Sequence, residues 1–70
     1  MKFEKKMKVI IEKEELNQSQ MAERLNCSRS YISELLIGRY YPSYQFLIKI
    51  KRAFPNITND FLLNENVNDY

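Results

Sequence analysis

The sequence contains no histidine, no tryptophan, one cysteine, one glycine and two prolines in 70 residues. Without an imidazole, neither a Cys/His zinc cluster nor a serine or cysteine nucleophile with a histidine base can be assembled. Cys27 has no partner for an internal disulfide, which fits a reduced, cytoplasmic compartment. The scarcity of glycine and proline argues against an all-β chain with many tight turns. Long apolar runs are missing too. The longest aliphatic or aromatic stretches, 9–11, 35–37, 46–48 and 61–63, fall far short of the roughly 18 residues of a membrane span. None serves as the hydrophobic region of a signal peptide behind the basic start. No cofactor, metal or membrane association is expected.

A chain this short makes one small domain that buries only about 60% of its unfolded surface, so nearly every large apolar residue is needed in the core. That leaves little room for a catalytic cleft. The carboxylates of Glu12, Glu14, Glu15, Asp60 and Asp69 therefore have no cavity in which to act as a pair, and no enzyme is expected. The overall charge of +2 divides unevenly: residues 1–59 hold all 11 Lys and Arg against six acids, a net of +5, and 60–70 hold three acids and no base. A basic body permits contact with phosphate without requiring it.

Along the chain, apolar spacing predicts a first amphipathic helix over 2–15, with Phe3, Met7, Ile10 and Ile11 on one stripe and Lys2, Lys5, Lys6 and Lys8 on the solvated side. Asn17, with Gln20 three residues later and Leu16 facing Met21, reads as a capping box and hydrophobic staple opening a second helix over 18–25. Asn26 tolerates the left-handed turn that ends it. Ser28 caps a third helix that runs to about Ile37 before Gly38, with Cys27 and Ile32 in staple positions. Two short helices so closely linked form a helix-turn-helix. Ser43 caps a fourth helix carrying Phe46, Leu47, Ile50, Ala53 and Phe54 on one side, and Pro55 ends it. Thr58 caps a short fifth helix, with Ile57, Phe61, Leu62 and Leu63 as apolar anchors. The polar, acidic tail 64–70 is expected to fray, leaving 1–63 as the domain.

The third helix separates into two arcs. Arg29, Ser30, Ser33 and Glu34 share one side, and Tyr31, Ile32, Leu35 and Leu36 the other. A helix seated by one face can offer the opposite face to a DNA major groove, whose base edges present donors and acceptors. The competing reading of Arg29 and Glu34 is a merely solvated helix face; the capped helix-turn-helix around them favours DNA contact.

The stretch LNQSQMAERLNCSRSYISELLIGRYYPS, residues 16–43, resembles the XRE/Cro-like family of phage-repressor helix-turn-helix domains. Gln18, Ala22, Ser28, Ile32, Ser33, Gly38, Pro42 and Ser43 stand at the family's spacing, and with its flanking helices the resemblance covers about 3–63. It implies an all-α, five-helix, lambda-repressor-like domain, usually a transcriptional repressor acting as a homodimer on palindromic duplex DNA. Carried over by position, the resemblance implies base reading by Arg29, Ser30 and Glu34, with Ser33 beside them. It implies phosphate contact by Asn17, Gln18, Ser28, Arg39, Tyr40, Tyr41 and Ser43. In chemical terms, Arg29 suits guanine O6 and N7, Glu34 suits cytosine N4, and Ser30 suits either role. Family members usually carry Glu at the place of Leu36, and several pair it with Arg at the place of Ile11; an apolar contact is expected here instead.

Other residues have simpler roles. Tyr31 is expected at the core edge, Cys27 as an inert, buried thiol, and the tyrosines around Pro42 either on the DNA backbone or packing their own loop. A patch of Ile48, Ile57, Phe61 and Leu62 near Tyr44 is a candidate for pairing two copies, although packing of the fifth helix on the fourth competes for the same atoms. The alternative function is a protein-interaction module, an anti-repressor or antitoxin binding another repressor or a toxin, which the near-neutral reading face and acidic tail favour.

Overall fold

The structure is a computed structural model that describes residues 2–70. Five helices form, α1 (Phe3–Lys13), α2 (Gln18–Arg24), α3 (Arg29–Leu36), α4 (Tyr44–Ala53) and α5 (Asn59–Leu63), with no strand among the described residues.

Four helix starts are written in short polar side chains. Asn17 Oδ1 accepts from the Gln20 amide at 2.8 Å while Gln20 Oε1 accepts from the Asn17 amide at 2.9 Å, the reciprocal box predicted from the spacing. Ser28, Ser43 and Thr58 accept from the amides of Tyr31, Phe46 and Phe61 at 3.1, 3.2 and 3.1 Å. Each bond satisfies a helix donor that has no partner in its own helix.

Three helix ends share one device, a residue at positive φ that lets the next amide reach back five residues. Asn26 (φ 52°) and Gly38 (φ 78°) take this conformation as expected, and Cys27 and Arg39 donate to the carbonyls of Ala22 and Glu34 at 3.0 Å each. Glu15 (φ 55°) does the same for α1, with Leu16 donating to Ile11 at 3.0 Å. The first helix therefore stops at Lys13 rather than Glu15, because the left-handed turn that sends the chain into α2 uses Glu15 itself.

Met7, Ile10, Met21, Leu25, Ile32, Leu35, Phe46, Ile50, Phe54, Ile57 and Phe61 are buried, with Phe3, Ala22 and Leu62 closing the edge of the core. Of the predicted inward stripes, Ile11, Leu47 and Ala53 are only half-buried, and Leu25 joins the core from the end of α2. α3 packs against both α2 and α1, and α1 also meets α5. α3 is thus held from two sides.

Three expectations change. Lys6 is not on a solvated face; it is 3% exposed, and its ammonium donates to the carbonyls of Phe61 and of Asn64, the latter at 2.7 Å. It lies 5.3 Å from the centre of the Phe61 ring, and burial lowers its pKa against the opposing pull of Glu65. A cation is retained there because it caps carbonyls at the end of α5, which is too short to bond them internally. Leu63 is exposed rather than an anchor, since Phe61 and Leu62 already occupy the inward side of a single turn. The tail does not stand free: Val67 and Tyr70 pack on the core, Tyr70 lies edge-on to Phe61 at 5.1 Å, and Lys13 bonds Asp69 at 2.6 Å.

Candidate nucleic-acid interface

Ile32 and Leu35 anchor α3 in the core, with Tyr31 and Leu36 half-buried beside them. Tyr31 meets Phe46 edge-on at 5.2 Å and takes Tyr40 in a stack at 6.0 Å, so it packs at the core edge as expected. The opposite arc is graded. Arg29 and Ser30 are exposed, whereas Ser33 and Glu34 are half-buried. The open end of the reading face is its first turn, at the start of α3.

Beside that turn runs an open cleft of about 790 Å³ between α1, the start of α2 and α3. Asn17, Gln18, Ser19, Arg29 and Lys8 bring polar and cationic groups to it, with Glu12 the acid. Ile11, Leu36 and the exposed Ile37 supply its apolar wall. Ile11 and Leu36 thus face a common cleft from two helices as aliphatic surface. The sequence pattern does not single out Ser19, and it places Lys8 with Lys2, Lys5 and Lys6 on the solvated side, a phosphate clamp being the lesser reading. The signal was present in Lys8, one turn before Ile11 on α1, but a lysine on an amphipathic helix is indistinguishable from a solvated one until α2 is placed beside it.

The other expected phosphate positions fall into two groups. Asn17, Ser28 and Ser43 spend a side-chain oxygen on capping, although all three remain exposed. Arg39, Tyr40 and Tyr41 lie together in the exposed loop after α3, with Tyr41 beside Phe3 at 6.4 Å. Glu34 turns toward this loop: its Oε1 is 4.0 Å from Arg39 Nη1. Hydrogen bonding to Glu34, then its charge, pushes the Tyr40 phenol up.

The proposed pairing patch does not exist as drawn. Ile57 and Phe61 are fully buried and Leu62 nearly so, because α5 packs on the body of its own chain with those side chains. What remains between α4 and α5 is a groove of about 330 Å³ that keeps Tyr44, Ile48 and Leu62 of that patch and adds Leu47 and Leu63, with Lys51 and Arg52 also lining it. Cys27 is half-buried, and burial raises its thiol pKa, so it is a poor nucleophile. Among the described residues no cluster of His, Cys, Asp or Glu suits a metal ion, and no helix is long and apolar enough to cross a membrane.

A helix-turn-helix family model matches residues 7–58, most of the chain and all of α2, α3 and α4. The protein belongs to the XRE/Cro-like helix-turn-helix family. This is a family of DNA-binding regulatory domains rather than of enzymes, and duplex DNA is its partner. No curated protein matches the chain, and no solved structure does.

Proposed function

We propose that this XRE/Cro-like protein is a repressor that occupies a palindromic operator as a homodimer and so blocks a promoter. The observation that carries the reading is the placement of Arg29 and Ser30 on the open first turn of α3, beside a cleft to which Lys8, Gln18 and Ser19 contribute. Arg29 pairs with a guanine edge, and Ser30 and Ser33 take neighbouring bases. Gln18, Arg39, Tyr40 and Tyr41 contact the DNA backbone on either side, which sets register without reading sequence. Asn17, Ser28 and Ser43 hold the helix starts in place and keep enough exposure to reach phosphate as well. Two copies insert their α3 helices into successive major grooves about 34 Å apart.

Selection of the pure protein on a randomised duplex pool at near-physiological salt tests this reading. Enrichment of half-sites related by a twofold and spaced about one helical turn supports it. Enrichment of nothing by well-folded protein refutes it.

The second reading, a module that binds another regulator or a toxin, draws support from the apolar groove between α4 and α5, where Tyr44 and Leu63 are 74% and 67% exposed. Salt separates the two. Phosphate binding weakens steeply as salt rises, and an apolar protein contact does not.

A further inference from the structure

Glu34 is the acidic member of the polar arc of α3, and its carboxylate approaches Arg39 of the following loop. Its side chain keeps 32% of its exposure, but Oε2 is shielded from solvent and has no hydrogen-bond partner. That oxygen is closed to a cytosine amino group, and the other, Oε1, is turned toward Arg39. The carboxylate acts instead on the loop after α3: the Arg39 guanidinium lies 4.0 Å from it, and Glu34 raises the pKa of the Tyr40 phenol. The same two residues are held from a second direction, because Tyr31, one turn before Glu34, stacks on the Tyr40 ring and the Arg39 amide donates to the Glu34 carbonyl at 3.0 Å.

We propose that Glu34 is a positioning residue: it orders Arg39 and Tyr40 on the flank of α3 so that they meet the DNA backbone already oriented, and it reads no base. This rests on the DNA-binding reading above and specifies how one acidic residue serves it. A loose, half-exposed ion pair contributes little to folding stability. A shielded carboxylate oxygen without a donor is unfavourable. The arrangement therefore gains its advantage elsewhere, in the side-chain freedom that Arg39 and Tyr40 no longer lose on binding. The sign of the effect is diagnostic. An idle carboxylate beside a phosphate-gripping loop repels DNA, so its removal would tighten binding; a positioning carboxylate makes removal weaken it.

Glu34→Ala and Glu34→Gln, both checked for an unchanged thermal transition, are compared with wild type in two measurements. In the free protein, backbone nitrogen relaxation reports loop order, and Glu34→Ala is expected to raise fast motion at residues 39–41. On the duplex selected by the wild type, Glu34→Ala is expected to weaken binding about two- to tenfold for every sequence alike, and to have no effect in an Arg39→Ala, Tyr40→Phe background. Tighter or unchanged binding, relaxed preference at a single base pair, or an equally ordered loop in Glu34→Ala each overturns the proposal. If the wild type retains no duplex, the DNA-binding reading fails on that result alone, and the relaxation data still decide whether Glu34 orders the loop.

Discussion

Arg29 and Lys6 carry the same charge in opposite surroundings. Arg29 is exposed at the head of α3 and free to fork onto a guanine, so Arg29→Ala is expected to cost about 1–3 kcal/mol on the selected operator and to relax preference at one base pair. Binding titrations on operator variants check it. Lys6 is buried with its ammonium spent on the Phe61 and Asn64 carbonyls. Lys6→Met keeps the length of the side chain and removes the donor, so the Phe61 carbonyl loses it while that of Asn64 keeps the Val67 amide, and is expected to lower stability by about 1–3 kcal/mol in urea unfolding. The sequence distinguishes these two residues only in part. Arg29 follows a cap and heads a polar arc, which marks it. Lys6 sits among Lys2, Lys5 and Lys8 with nothing local to single it out, and its burial depends on a carbonyl 55 residues away in the chain.

Helix boundaries follow from short-range chemistry, and so does much of the site. The reciprocal bonds of Asn17 and Gln20 make α2 start where it does, and Asn17→Ala is expected to cost about 1 kcal/mol of stability, read from the thermal transition. α2 also brings Gln18 and Ser19 across the cleft from Lys8 of α1. If a phosphate lies there, Lys8→Ala should reduce the slope of log affinity against log salt by about one contact, while Lys5→Ala, outside the cleft, should leave it unchanged. A salt titration of the three proteins on one duplex decides. The misplacements lie elsewhere. The end of α1 at Lys13 reflects a left-handed Glu15 that no propensity favours, and of the two fates open to Ile57 and Phe61 the structure takes packing within the chain: Phe61 is on the inward side of α5 and Ile57 is buried just before its cap.

Taken whole, the molecule is closed by a strap. Residues 64–70 return along α1, where Lys13 bonds Asp69 and the Tyr70 carbonyl, and the Tyr70 hydroxyl donates to Glu14 at 3.2 Å. Burial, followed by the charge of Glu14, pushes the Tyr70 phenol up to about 12. Between about 10, where an unfolded tyrosine releases its proton, and that value, the folded chain holds a proton that the unfolded chain has lost. Stability therefore falls as pH rises through this window. Urea midpoints at about pH 9 and about pH 11 should show the loss, and Tyr70→Phe should diminish it. At the acid end the strap is linked the other way. Lys13 holds the Asp69 carboxyl below its ordinary value, so that contact is present at neutral pH and lost as pH falls below the usual carboxylate range.

The helices, their caps, the inward stripes and the polar arc of α3 were legible in the linear chain, because each depends on residues three or four positions apart. Family membership was legible for the same reason, since its spacing lies within 16–43. What depends on residues far apart was not. The burial of Lys6, the union of Lys8 with Gln18 and Arg29, the turn of Glu34 toward Arg39, and the return of Tyr70 to Phe61 and Glu14 all arise when separate helices meet. Charged side chains of the same type then part company, some capping carbonyls and others facing solvent, because desolvation and available partners are set by what packs against them.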